Sequence, residues 1–290
     1  MFASLLRLAR KFVPAAQRPE VEIHGTHSPD WMAALGPQGP VWRRLPRIGA
    51  VRLDAGPPHR HKHIVIPLME PHIASMPSGC WSLVPDPASV AVLSDKLAFA
   101  RYVAAAGLDA FAPKTLDIAA PRFPAVLKRT DLNAGNGIAI VNSQQELAAH
   151  LAQPLWSGHP VLLQEFIGAH TDYVVHLVAV AGRLVWHRSY AYDLGSSRTI
   201  RGSAVRVETR PVKFSASDIA ILERFLLPLG FDGPASVDFR RRSDGRLAIL
   251  EINPRLGGSL MRPENVGDLA GALRSIIRRA KWRAAVPALQ

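Results

Sequence analysis

Residues 235–253 constrain this chain more than any other stretch. Two runs, 235–242 and 246–253, read as a β-hairpin joined by Ser243-Asp244-Gly245. With the turn centred on Asp244, near-symmetric antiparallel pairing puts Asp238 opposite residues near Leu250 and Glu251. Side chains alternate with period two, so Glu251 and Asn253 share a face. Three oxygen-bearing side chains therefore converge among Val237, Phe239, Ile249, Leu250 and Ile252. Charges placed in such an apolar run are costly unless a cation or hydrogen bonds compensate them. Hard oxygen donors in that setting suit Mg²⁺, commonly held by one or two carboxylates plus substrate phosphates. The competing reading is a solvated face whose carboxylates pair with Arg240 or Arg255, but packing alone gives no reason for Asn253-Pro254-Arg255 directly after a buried strand.

Upstream the chain alternates helices and strands. Ser94 is read as an N-cap with Asp95 favouring the helix dipole, and Gly107 ends that helix. Strands are expected at 124–129 and 138–141, around a loop containing Asn133, Gly135, Asn136 and Gly137. Ser143 with Glu146 forms a capping box for a helix to about Gln153. Residues 161–166 read as a strand, and 173–180 pairs with 183–190 across Ala181-Gly182. Ser217 is expected to cap an apolar helix through Leu227, and a basic helix from about Val266 closes the chain. The first 60 residues give only weak strand signals, at 21–24 and 51–53, before clearer apolar runs at 63–68 and 81–84.

The 290 residues, 48% hydrophobic, suffice for a sizeable core in one lobed unit. Lys+Arg 35 against Asp+Glu 23 gives a formal charge of +12, which favours anionic partners. Cys80 is the only cysteine, which excludes an intrachain disulfide and a thiolate metal cluster and fits a reducing, cytoplasmic setting. No stretch approaches the ~20 apolar residues of a membrane span. Residues 1–13 read as a short basic amphipathic helix, docked or frayed, with a presequence or surface anchor as the alternative.

The string Ser236-Val-Asp-Phe, a short turn, then Ile249-Leu-Glu-Ile-Asn-Pro-Arg255 resembles the metal-binding hairpin of the ATP-grasp superfamily. The resemblance implies that Asp238, Glu251 and Asn253 hold two magnesium ions, with manganese able to substitute, against the ATP phosphates, and that Arg255 steadies the transferring phosphoryl group. Phosphoryl transfer needs positioning and charge neutralisation more than covalent chemistry, which agrees. Leu93-Ser-Asp-Lys96 and Phe123-Pro-Ala-Val-Leu-Lys128 resemble the family's phosphate-reaching segments, which assigns Lys96 and Lys128 to ATP and Lys128 also to catalysis. Leu163-Gln-Glu-Phe-Ile167 resembles the hinge that recognises adenine and ribose, making Glu165, Phe166 and Ile167 nucleotide-binding candidates, with Asp172 as the nearest match to the ribose acid. Ile64-Val-Ile-Pro-Leu-Met-Glu70 is similar to the end of the small α/β subdomain that precedes many ATP-grasp domains.

The implied fold is an α/β (α+β) ATP-grasp architecture of two lobes clasping ATP, with a reduced N-terminal α/β subdomain over 1–90 and the ATP-grasp domain over 91–290, its lid at about 113–165. The implied activity is ATP- and magnesium-dependent ligation of a carboxylate, through an acyl phosphate, to an amine. Alternatives are a non-amine acceptor or different donor, or an inactive basic scaffold that binds nucleic acid or a membrane surface. The expected partners are small carboxylates and amines rather than nucleic acid, with a homodimer allowed. Outside this scheme, His59, His61 and His63 alternate as a strand-face metal site would, although a basic solvated segment explains them without a ligand. Arg198, Arg201, Arg206 and Arg210 read as a solvated loop or an anion grip, and His176 and His187 as core or interface histidines.

Overall fold

A computed structural model of the protein describes residues 14, 17–54, 62–132, 135–195, 200 and 207–283. The expectations for residues 1–13, His59, His61, Asn133, Arg198, Arg201 and Arg206 lie outside those residues. The chain divides into two units, one comprising Met1–Pro85, Asp232–Pro234 and Arg255–Gln290, the other Asp86–Phe231 and Ala235–Pro254.

The first unit is built on strands β1 (Glu20–His24), β2 (Ala50–Leu53), β3 (His63–Pro67) and β4 (Cys80–Ser82), with helices α1 (Pro29–Leu35) and α2 (Glu70–Ala74) between them. Parallel pairing of β1 with β2 and β3, and of β3 with β4, leaves the inner strands β1 and β3 buried on both faces, which is why 63–67 reads as a nearly unbroken apolar run. Val21, Ile23, Ile64, Val65 and Ile66 are essentially inaccessible. Toward the C-terminus the chain re-enters this unit, and the sheet order ends β13-β4-β3-β1-β2, where β13 is Lys281–Arg283.

The second unit opens with α3 (Pro87–Ser94), capped by Asp86, and α4 (Lys96–Ala105). The N-cap of α4 is Asp95, whose carboxylate accepts from Ala98 N at 2.6 Å, while Ser94 ends the preceding helix. The expected Ser94 cap is therefore displaced by one residue, because an ionised Asx acceptor also complements the helix dipole. A three-stranded antiparallel sheet orders β6 (Ile138–Val141), β5 (Ala125–Arg129) and β7 (Val161–Glu165), covered by α5 (Gln144–Leu151), with Leu127, Leu147, Trp156 and Leu163 as its core. Ser143 caps α5 as expected, but Glu146 reaches back to Asn142 N rather than to Ser143.

The larger sheet of this unit has the order β10-β9-β8-β11-β12, from β8 (Thr171–Val180), β9 (Arg183–Asp193), β10 (Thr209–Val212), β11 (Gly233–Arg241) and β12 (Leu247–Asn253). Its apolar face packs with α4 and with α6 (Ala216–Leu226) through Phe99, Val103, Leu177, Phe225, Phe231 and Ile249. The cap of α6 is Ser215 in a reciprocal box with Asp218, two residues before the expected Ser217. Gly182 turns β8 into β9 at φ +77°, and a Cβ there would lie 2.5 Å from Leu227 Cα. The final helix α7 (Val266–Arg279) starts where its sequence pattern starts and buries Leu269, Leu273 and Ile276 in the first unit. Among the described residues no helix is long and apolar enough to cross a membrane.

Candidate functional site

The hairpin β11–β12 carries the expected acidic constellation, with one refinement. Arg241 faces Leu247, Arg240 faces Ala248 and Phe239 faces Ile249, the register of a turn centred on Asp244. Continued evenly, that register would bring Leu250 opposite Asp238. A bulge between Asp238 and Phe239 instead places Glu251 there, so the two carboxylates become direct cross-strand partners. Asn253, two residues along on the same face, donates from Nδ2 to Glu251 Oε1 at 3.1 Å. Asp238, Glu251 and Asn253 are all partly buried.

Two lysines from separate elements complete the cluster. Lys128 lies on β5 and Lys96 opens α4, and both line one cleft together with Gln164, Leu162, Glu251 and Asn253. Lys96 Nζ donates to the carbonyl of Leu132 at 2.5 Å. Desolvation pushes the Lys128 ammonium down from its ordinary 10.5 to about 8; Glu251 opposes that shift, while Lys96 and Arg240 add to it. For Glu251, burial would raise the carboxyl, yet Asn253, Lys128, Asp238 and Lys96 outweigh it and hold the group below its usual range. Two lysines in one partly dehydrated cleft, beside two acids in contact, favour a polyanion bridged to the acids by a hard cation.

The resting site thus draws together Lys96, Lys128, Asp238, Glu251 and Asn253. Elsewhere the candidates are engaged differently. Glu165 is gripped by Arg242 at 2.5 and 3.0 Å and accepts from Lys114 N, and the hydrogen bond from Arg242 holds its carboxyl low. Phe166, the next residue, is partly buried. The Ile167 carbonyl accepts from Arg240 Nη1 at 2.8 Å, and Asp172 is paired with Arg240 Nε at 2.7 Å in a buried contact. Arg240 and Arg255, the anticipated partners of the hairpin acids in the solvated reading, pair with Asp172 and Glu70 respectively, the latter at 3.3 Å within the first unit. Gln164 was not singled out from the sequence as a lining residue, although a buried amide directly after the apolar strand residues Leu162 and Leu163 is the signal that marks it.

Among the other polar residues, His63 is buried on β3, and Arg210 is exposed on β10. His176 is buried against the Tyr190 ring, and burial pushes the half-buried His187 imidazole down.

The sequence model of the ATP-grasp domain matches residues 93–259. No curated protein matches the chain by sequence. Similar solved structures include N5-carboxyaminoimidazole synthase from Aspergillus clavatus in complex with ADP and 5-aminoimidazole ribonucleotide, at TM-score 0.59 and 14% identity, covering 95% of this chain and 79% of that one. An L-amino acid ligase from Bacillus licheniformis aligns at TM-score 0.58 and 13% identity, covering 91% of this chain and 75% of that one. D-alanine–D-alanine ligase from Bacillus anthracis, complexed with ATP, aligns at 0.57 and 13%, covering 90% and 95%. At these identities the alignments speak for the fold alone, but the domain match spans more than half of the residues, from the helix that carries Lys96 to beyond the acidic hairpin, and the chain belongs to the ATP-grasp family.

Proposed function

We propose that the protein is an ATP- and magnesium-dependent ligase that activates a carboxylate as an acyl phosphate and joins it to an amine. The observation that carries this reading is the direct pairing of Asp238 with Glu251 beside Asn253 and Lys128. Two carboxylates in contact repel when both are ionised, and a bound hard cation removes that repulsion. The donor set fits magnesium: two carboxylates and an amide oxygen are hard ligands, and among the described residues no soft or imidazole donor lines the same cleft. Magnesium held there would neutralise phosphate charge during transfer.

The chain's own residues supply the rest. Lys128 and Lys96 bind and orient the phosphates as point-charge donors, and the apolar lining from Leu93, Phe99 and Leu162 limits water around them. Arg255, two residues past Asn253 in the chain, is proposed to steady the phosphoryl group in flight, and Glu165, Phe166, Ile167 and Asp172 to lie along the nucleotide. D-alanine–D-alanine ligase and L-amino acid ligase, both among the similar structures, support an amino-acid or peptide-like substrate class.

The test is a screen of amino acids and small carboxylates, in pairs, with ATP and Mg²⁺, reading ADP, phosphate and product mass. ADP formation that requires both a carboxylate and an amine is expected. ADP formed only with a thiol, hydroxyl or bicarbonate would replace the amine by that acceptor or the carboxylate by that donor, and AMP as product would overturn the acyl-phosphate route.

A further inference from the structure

The first unit holds a second group of ligating atoms that ATP chemistry does not use. His24 Nδ1 lies 3.1 Å from Glu22 Oε1 and 3.5 Å from Asp54 Oδ1, and one ligand atom from each residue falls within 4.8 Å of the other two. The local chain explains the meeting. Glu22 and His24 are two apart on β1 and share a face. Asp54 follows β2, the parallel neighbour of β1 in which Ile23 faces Leu53, and its Oδ1 accepts from Gly25 N at 2.7 Å. Adjacent donors in a tetrahedral shell with bonds of about 2.0–2.1 Å stand roughly 3.3–3.4 Å apart, close to the two separations around His24.

Charge argues in the same direction. Glu20 and Glu22 are both buried on this face of β1, at 2% and 1% exposure. Glu20 meets the guanidinium of Arg52 at 2.9 Å, a permanent cation. Glu22 meets imidazoles, His24 on one oxygen and His63 Nε2 at 2.9 Å from the other. A buried carboxylate needs a compensating cation or full hydrogen bonding, and a neutral imidazole supplies one N–H and no charge. On the far side of its ring, His24 Nε2 lies 3.2 Å from Ser75 Oγ. With that nitrogen as donor, the Nδ1 lone pair points toward both carboxylates, an arrangement that repels unless a cation lies between them. Ser75 behind His24 matches the outer hydrogen bonds that orient metal ligands, and the His63 imidazole sits against the second Glu22 oxygen. The Asp54 side chain is 48% exposed, which leaves an entry from solvent.

We propose that Glu22, His24 and Asp54 form a binding site for a divalent transition metal of the Zn²⁺ type, separate from the magnesium site on the hairpin. One imidazole and two carboxylates favour Zn²⁺ or Co²⁺ over Mg²⁺, which takes oxygen donors and keeps its water. Water completes the shell.

The experiment uses the full chain, stripped with chelator and free of nucleotide, carrying His59→Ala and His61→Ala so that those histidines contribute nothing. Zn²⁺ is titrated by calorimetry and Co²⁺ by visible absorption. One equivalent of each is expected, with intense cobalt bands of low-symmetry coordination that millimolar Mg²⁺ leaves in place. Asp54→Asn and His24→Gln should each abolish that equivalent, and His63→Gln should weaken it about 10- to 100-fold. Glu251→Gln should leave it intact, which separates this site from the proposed ATP site. Asp54 is exposed, so its variant stays folded and decides the matter even where a change at His24 disturbs β1. No stoichiometric binding to the parent, binding undiminished in Asp54→Asn, or binding lost in Glu251→Gln would each overturn the proposal.

Discussion

Arg240 Nε donates to Asp172 Oδ1 at 2.7 Å, and its Nη1 donates to the Ile167 carbonyl at 2.8 Å, so one side chain of β11 ties down both the start of β8 and the segment that leads into it. Both charged residues are buried, at 7% and 8% exposure. Breaking one partner of a buried pair leaves the other charge uncompensated, at a cost of about 3–5 kcal/mol. Asp172→Ala should therefore lower the melting temperature by about 5–15 degrees or prevent folding, and Asp172→Leu with Arg240→Met should recover much of the loss. Melting curves of the single and double variants check this. A single variant that melts like the parent but binds ATP poorly would make Asp172 a nucleotide ligand with no structural role.

Lys128 provides a proton-linkage test. With its ammonium held down to about 8, the folded protein has half released that proton at pH 8, whereas an ordinary lysine has not. The phosphates of ATP favour the charged form, so binding raises the pKa and takes up about half a proton at pH 8, less at pH 7 where the group is already charged. Calorimetry of a non-hydrolysable ATP analogue with Mg²⁺, in buffers of different ionisation enthalpy, measures the uptake. Lys128→Arg, which does not titrate, should abolish it while retaining part of the affinity. Uptake unchanged in Lys128→Arg would place the titrating group elsewhere.

Lys96 separates binding from stability. It is partly exposed and, among the described residues, its side chain donates to one backbone carbonyl, Leu132 O, so Lys96→Met should shift the melting temperature by only a few degrees. Loss of a phosphate contact should weaken ATP binding about tenfold or more. Isothermal titration beside thermal melting decides. Unchanged affinity with a large fall in melting temperature would assign Lys96 a structural role.

Much of this arrangement was legible in the sequence. The hairpin of β11 and β12 announces itself because alternation, turn residues and length agree, and α7 begins at Val266 as its pattern does. What escaped is finer than such patterns carry. A bulge is a choice between two registers one residue apart, so the pairing of Asp238 with Glu251 rather than Leu250 needed coordinates. Ser94 and Ser217 lost their cap positions to Asp95 and Ser215 because neighbouring Ser and Asp residues offer equivalent acceptors and the packing of the helix chooses between them. Strand β13 is three residues long and pairs with β4 about 200 positions earlier, too short and too distant for periodicity to reveal. Glu165 and Asp172 read as nucleotide contacts from motif order, while their arginine partners lie about 70 residues away in sequence.

The central claim is that Asp238 and Glu251 are held together to share a cation with ATP. If so, Asp238→Asn and Glu251→Gln relieve repulsion in the metal-free protein and should melt at or above the parent temperature, while turnover falls by orders of magnitude. Magnesium-dependent stabilisation by ATP should vanish in both, because metal and phosphates share one site. The most direct measurement is the thermal shift produced by ATP with and without Mg²⁺ for the parent, Asp238→Asn and Glu251→Gln. The account predicts a magnesium-dependent shift in the parent alone; the same shift in all three folded proteins would contradict it.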